Sequence, residues 1–166
     1  MHKEIEKIQK GLEFERTVVL IKPDGLQRGL IGKVLSRFET KGLKIVALKM
    51  MQVDDAILES HYFHHKNKAF FKSLSNFMKS SPVVAIVLEG VEAVNATRIL
   101  CGTTKARSAE AGSIRGDFGM GYTSNIVHAS DSVENAKEEI VRFFDAHELF
   151  DYEKTEYLNI YLPEVD

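Results

Sequence analysis

The sequence predicts an α+β fold, on three observations. Short β-branched runs alternate with helical periodicities, an adjacent pair of helical segments interrupts the alternation midway, and no linker or internal repeat divides the 166 residues. The order reads β-α-β-(αα)-β-α-β-α. Without the inserted helix pair it is βαββαβ, the ferredoxin-like pattern of a four-stranded antiparallel sheet with helices on one face, here followed by a C-terminal helix. One domain is expected over residues 15–166, C-terminal tail included, behind an N-terminal extension over residues 1–14.

Each element has a local reason. Ile5 and Ile8 stand among Lys and Glu, a short amphipathic stretch over residues 2–10 before Gly11. Residues 17–21 are β-branched and apolar and run into Lys22-Pro23-Asp24-Gly25, so a strand enters a turn. Leu30 or Ile31, Val34, Leu35 and Phe38 recur at helical spacing, and Gly42 supplies the stop. Residues 43–53 read as a long strand. Its Lys44 and Lys49 fall on opposite parity, which points to a bulge or to burial on both faces. Asp54 or Asp55 caps a helix through about His65. Phe70, Phe71, Leu74, Phe77 and Met78 mark a second helix, broken at Ser81-Pro82. Residues 83–88 form a buried strand, and Gly90 leads into a helix ending near Gly102. Residues 102–124 hold five glycines and little periodicity, a long loop of the kind that is usually functional or disordered. Residues 125–129 are the last short strand. A helix then runs from about Ser132 to Phe144, with Asp131 as its cap and Glu134 closing a capping box.

Composition narrows the function classes. The chain is 44% hydrophobic and 28% charged, with a formal net charge of -2. No broad positive field invites nucleic acid, so an anionic substrate would need a local cluster of cations. The apolar run over residues 83–88 is too short to span a bilayer, and no membrane role is expected. The N-terminus lacks the apolar core of a secretory signal. A single cysteine excludes an internal disulfide, and the expected compartment is the cytoplasm.

Chemistry concentrates around Asn125-Ile126-Val127-His128-Ala129-Ser130-Asp131. His128 alternates with Ile126 on a strand, so both are expected on one face. A lone histidine there is more often a core residue, but the following helix changes the weighting. Val133, Ala136, Ile140 and Phe143 form its buried stripe, and Glu139 borders that stripe. A carboxylate held there can accept a hydrogen bond from one imidazole nitrogen and leave the other free to attack. No Walker pattern is present, and Gly119-x-Gly121 lacks a dinucleotide-binding context. The polyphosphate candidates are Lys22 after the first strand, Arg98 late in a helix, and Thr104 and Arg115 in the glycine-rich loop. Glycines flank Arg115 and would let backbone approach a ligand. Two other readings compete. His61 and His65 sit one helical turn apart, a spacing that can chelate zinc, with His64 between them, but the metalloprotease glutamate is absent. Cys101 lies at a helix end with no charged base nearby in sequence.

The run Thr17-Val18-Val19-Leu20-Ile21-Lys22-Pro23-Asp24-Gly25-Leu26-Gln27-Arg28-Gly29 resembles the opening of the nucleoside diphosphate kinase family. Ile114-Arg115-Gly116-Asp117-Phe118 and residues 125–131 match its other two signatures, in the family's order and spacing. The similarity extends from about Glu15 to Tyr152. It implies ping-pong transfer of a terminal phosphoryl group between nucleoside tri- and diphosphates through a phosphohistidine at His128. It also implies that Glu139 orients the ring with support from Ser130, and that Lys22 contacts the sugar hydroxyls and terminal phosphate with Tyr62 beside the phosphoryl in flight. Arg98, Thr104 and Arg115 would hold β- and γ-phosphates, Asn125 the ribose 3′-hydroxyl, and Phe70 the base. The family's Mg²⁺ bridges nucleotide phosphates with few direct protein ligands, and its members assemble as homohexamers or homotetramers. Three positions depart from the pattern. Ala129 replaces the more usual glycine, Ala106 stands where many members have proline at a trimer contact, and Tyr122 replaces a small aliphatic residue near the base. A nucleotide-binding scaffold that had lost catalysis would lack the histidine, lysine or arginine, and all three are present.

Overall fold

The computed structural model describes residues 12–161, so the amphipathic stretch expected over residues 2–10 and the end of the tail lie outside the described residues. Strand β1 (Phe14–Ile21) contains the β-branched run and begins three residues before it. The sheet order is β2 (Lys44–Met51), β3 (Val83–Val91), β1, β4 (Val127–Ala129), with every neighbouring pair antiparallel. The ferredoxin-like expectation holds. Leu20 of β1 pairs with His128 of β4, which fixes where the histidine sits along the sheet.

Side-chain alternation makes β1 serve two cores. Val19 and Ile21, with Ile86 and Leu88, pack against Val34 and Phe38 of α2 (Ile31–Lys41) and against Ala93 and Cys101 of α5 (Ala93–Cys101). Val18 and Leu20, with Ala85 and Val87, face the other way. They meet Leu58 of α3 (Asp55–His61), Leu74 and Met78 of α4 (Phe71–Lys79), and Phe143 of α7 (Val133–Phe143). Helices therefore cover both faces, where one was expected. The βαββαβ helices take the expected face, and the inserted pair with the C-terminal helix takes the other. The cause is apolar composition on both parities: Val18 to Ile21 are all fully buried, and an open face would put two of them in water.

Several local expectations change. Lys22-Pro23-Asp24-Gly25 opens a short helix, α1 (Pro23–Gln27), because proline at the first helical position is pre-set for it. Gly25 is needed there: an added Cβ would lie 2.7 Å from the Ile21 side chain and 3.2 Å from the Ile126 carbonyl. The helix expected through His65 ends at His61, and Phe63–His65 form a separate 3₁₀ turn. The loop over residues 102–124 contains a 3₁₀ turn at Ala106–Ser108 and a short helix, α6 (Ile114–Phe118). Ser113 caps α6, its Oγ accepting from Gly116 N–H at 3.0 Å; a helix this short leaves no periodicity to read. Ser132, not Asp131, caps α7 by accepting from Asn135 N–H at 3.1 Å, while Asp131 accepts from the Asn135 side chain at 2.6 Å. The lysine parity in β2 does mark a bulge: pairing jumps from Ile45 to Ala47, leaving Val46 extra.

The largest departure is at Ile126. Its φ of 73° lies in the left-handed region, where a β-branched residue costs about 1–3 kcal/mol. Two hydrogen bonds hold it there. Ile126 N–H donates to Asp24 Oδ2 at 3.0 Å, and Lys22 N–H donates to the Ile126 carbonyl at 2.8 Å. The strand begins only after this residue, so alternation does not run through it. Ile126 and His128 thus do not share a face. Ile126 is buried with Val19 and Phe38, and His128 emerges beside Leu20 on the opposite side.

Candidate active site

His128 lines a cavity of about 1050 Å³ bounded by the 3₁₀ turn after α3, the C-terminal end of α5, the glycine-rich segment and α7. Helix α7 buries Ala136, Glu139 and Phe143 on one stripe, which brings the Glu139 carboxylate under the histidine. Glu139 Oε1 lies 2.9 Å from His128 Nε2. Its Oε2 accepts from Ser130 Oγ at 2.6 Å. Ser130 is itself set by the sheet edge: its N–H donates to the Val18 carbonyl at 3.0 Å, and its Oγ accepts from Val18 N–H at 3.0 Å. A carboxylate only accepts, so the neutral ring carries its proton on Nε2 and keeps a lone pair on Nδ1. That is the arrangement of an oriented nucleophile.

His61 completes the surroundings of the ring. The two imidazole centroids are 4.5 Å apart and edge-on, and Phe143 stands 5.1 Å from His61 on another side. His61 Nδ1 is 3.6 Å from Glu139 Oε1, and both His61 nitrogens are buried without a hydrogen-bond partner among the described residues. Burial above all, then the charges of His128, Arg142 and Lys22, hold its pKa well below the ordinary histidine value. The sequence reading paired it with His65. Because α3 ends at His61, His65 falls in the next turn, exposed, with its ring 5.4 Å from Phe70. No sequence spacing joins His61 to His128 and Glu139; only the packing of α3 on α7 does.

The cations come from three segments. Lys22, 7% exposed, donates from Nζ to Asn125 Oδ1 at 2.7 Å and to the Thr123 carbonyl at 3.1 Å. Burial, reinforced by Arg115 and opposed by Asp24, lowers its pKa to about 8. Arg115 is 8% exposed, donates from Nη2 to the Val127 carbonyl at 2.8 Å and from Nη1 to the Gly102 carbonyl, and leaves Nε buried without a partner among the described residues. Asn125 Nδ2 donates to the Thr104 carbonyl at 2.7 Å, which ties the glycine-rich segment to the strand. Arg98, Thr104, Phe70 and Tyr122 line the cavity as exposed residues, and Tyr62 is half-buried there. Burial, then Glu139, push the Tyr62 hydroxyl upward, so it stays a donor. The cysteine alternative fails on environment: Cys101 is fully buried and its thiol is pushed up to about 12 by that burial. Ala106 is buried, and its N–H donates to the Gly121 carbonyl at 3.3 Å, a bond that proline cannot make.

A buried lysine beside a buried arginine is an unfavourable pair until an anion arrives. This gives a pH prediction. Lys22 is charged below about 8, so affinity for a nucleoside diphosphate, measured by titration calorimetry, should be constant near pH 7 and fall as pH rises past that value. In the nucleotide-free protein the sign is opposite for stability. The folded pKa lies below the unfolded value of 10.5, so this group's cost is full below pH 8 and is relieved between pH 8 and 10.5.

The donors that converge here are a poor match for a resident Mg²⁺. Mg²⁺ prefers an octahedral set of oxygens, whereas the donor group that converges here among the described residues is His61, His128 and Glu139, two nitrogens and one carboxylate. Lys22, Arg98 and Arg115 line the same cavity.

Comparison with known proteins agrees with this geometry. Residues 15–149 match the family model described as nucleoside diphosphate kinase. The nucleoside diphosphate kinase of Carboxydothermus hydrogenoformans is 49% identical over 142 residues, covering 86% of this chain and 95% of that protein. That of Pyrococcus horikoshii is 50% identical over 143 residues, covering 84% and 91%. Among solved structures, the Halobacterium salinarum enzyme in complex with CDP superposes with a TM-score of 0.88 at 43% identity, covering 90% of this chain and all of that one. The Borrelia burgdorferi enzyme, a transition-state mimic with vanadate and ADP, gives 0.80 at 38% identity, covering 88% and 96%. The fold, the part-buried histidine–carboxylate pair and these matches over most of the chain agree: the chain belongs to the nucleoside diphosphate kinase family and is an enzyme of that kind.

Proposed function

We propose that this nucleoside diphosphate kinase transfers the phosphoryl group in two half-reactions through a phosphohistidine at His128 Nδ1. The observation that carries the reading is the Glu139 Oε1 contact to Nε2 at 2.9 Å, on a ring that lines a cation-bearing cavity. In the first half-reaction the Nδ1 lone pair forms the N–P bond as the bond from the γ-phosphorus to its bridging oxygen breaks, and the nucleoside diphosphate leaves with that oxygen. The proton on Nε2 stays shared with Glu139, which balances the positive charge developing on the ring. A second diphosphate then attacks the same phosphorus and restores the neutral histidine.

Lys22, Arg98, Thr104 and Arg115 take the charge of the β- and γ-phosphates, and the Tyr62 hydroxyl stands beside the moving phosphoryl group. Positioning and electrostatics supply most of the rate in a loose transition state. Mg²⁺ held by the nucleotide's own phosphate oxygens would neutralise part of the triphosphate. Asn125 meets the ribose 3′-hydroxyl and Phe70 stacks on the base, with Tyr122 as a second aromatic wall in place of a small residue. The CDP and ADP–vanadate complexes of the two solved relatives support a nucleotide in this cavity. The test is incubation with γ-labelled ATP: an acid-labile, alkali-stable label chased by added GDP supports the reading, and nucleotide binding without label overturns it.

Phe70 is 51% exposed, as a stacking platform must be. Phe70→Ala should raise KM for every nucleotide by roughly 5- to 150-fold, the equivalent of about 1–3 kcal/mol per stacked base. Steady-state kinetics with ADP, GDP and CDP check this, and a loss confined to one base would contradict stacking. We propose further that residues 15–166 act as one domain behind an extension over 1–14, that the chain works in the cytoplasm, and that it assembles as a homohexamer or homotetramer. The exposed Leu48 and Met50 on edge strand β2 support assembly, and solution mass decides between the two forms. Among the described residues no helix is long and apolar enough to cross a membrane.

A further inference from the structure

We propose that His61 Nδ1, His128 Nε2 and Glu139 Oε1 form an inhibitory site for Zn²⁺ or a similar borderline-soft divalent cation, which binds the nucleophile in its unreactive tautomer. The site's consequence rests on the phosphohistidine reading of His128; its existence does not.

The geometry is near what such an ion requires. One donor atom from each of the three residues lies within 4.8 Å of the others, and Glu139 Oε1 is 2.9 Å from His128 Nε2 and 3.6 Å from His61 Nδ1. Donors bound to tetrahedral zinc at about 2.0–2.1 Å are separated by roughly 3.3 Å, so modest ring rotations bring all three into place. His61 is the independent pointer. Its ring is buried against His128, Tyr62 and Phe143, yet neither nitrogen has a hydrogen-bond partner among the described residues. Ser130 Oγ holds Oε2 at 2.6 Å, which leaves Oε1 turned toward both rings, as an outer partner does for a ligating carboxylate. Two imidazoles and one carboxylate select zinc or copper over magnesium, so the Mg²⁺ delivered with nucleotide does not compete. All three residues line the cavity, from which an ion would enter.

Inhibition follows from where the proton must go. In the resting ring the proton is on Nε2 and the lone pair on Nδ1. The cation takes a lone pair at Nε2, so the ring proton moves to Nδ1, with no net proton released. Nδ1 then has nothing with which to attack phosphorus. The hydrogen bond from Nε2 to Glu139 is exchanged for two bonds to one metal ion.

The test is calorimetric titration of nucleotide-free protein with Zn²⁺ in the presence of excess Mg²⁺. Tight binding is expected in the native protein, weakened at least about 10-fold in His61→Asn and in His128→Asn, since loss of even an outer partner costs that much. Failure of the native protein to bind, or undiminished affinity in either variant, overturns the site. The second arm is labelling from γ-labelled Mg²⁺-ATP at buffered free Zn²⁺. Label should disappear as the site fills, and in His61→Asn the half-inhibiting Zn²⁺ should rise at least about 10-fold relative to that variant's own zinc-free label. Binding with undiminished labelling overturns the inhibition. If no label forms even without zinc, the phosphohistidine reading has failed, and calorimetry still decides whether the site exists.

Discussion

His128→Ala leaves no acid-labile label on the protein after incubation with γ-labelled ATP and lowers turnover by at least about 10⁴-fold, the scale on which removing a covalent nucleophile acts. Nucleotide affinity should stay within a few-fold, because Lys22, Arg98, Arg115 and Phe70 remain on the cavity wall without His128. That split between lost chemistry and kept binding separates a nucleophile from a residue that merely packs. Among the described residues, neither Cys101 nor His61 is placed to substitute. Cys101 is sealed from solvent, and His61 has both nitrogens buried. Pre-steady-state labelling together with calorimetry measures both halves, and a labelled variant would show that the phosphoryl group goes elsewhere.

Glu139→Gln is expected to lower kcat by roughly 10²–10⁴-fold with little change in KM, as when a carboxylate that orients a catalytic histidine becomes an amide. The amide has two orientations, and each breaks a contact that is now made. If its nitrogen faces His128, it donates to Nε2 and drives the ring proton onto Nδ1, the attacking atom. If its oxygen faces His128, its nitrogen meets Ser130 Oγ, which already accepts from Val18 N–H at 3.0 Å and now gives its proton to Oε2. Glu139 is 7% exposed, so water cannot readily repair either mismatch. The rate of label formation should fall with kcat. A variant with normal labelling would mean that the ring is oriented by something else.

How much of this was readable follows from the length scale of each signal. The runs in β1 and β3 and the helical periodicity before Gly42 were legible because burial repeats over many residues, and Gly42 takes φ 101° where the helix stops. The bulge in β2 was legible because a buried ion pair, Lys44 to Glu89 at 3.0 Å, forced a charged residue onto a core parity. The short helices α1 and α6 were not, since each spans little more than one turn and depends on a cap, a proline or a tertiary contact. The face of His128 was misread because positive φ is unexpected at isoleucine, and the hydrogen bonds to Asp24 and Lys22 that hold it come from far along the chain. The roles proposed for the other cavity-lining residues came through motif resemblance, while Glu139 was also accessible from the helical wheel. His61 drew notice only for its spacing to His65, which the structure does not use, because its actual partners come from segments far along the chain.

The left-handed backbone at Ile126 has a thermodynamic corollary. Through it, the main chain beside Lys22 and the side chain of Asp24 are fastened to the segment bearing His128, so the first β-strand cannot loosen without releasing the last. Loss of phosphoryl exchange and loss of the whole fold should therefore coincide along a denaturant titration, with no interval in which an intact scaffold carries a dismantled reaction centre.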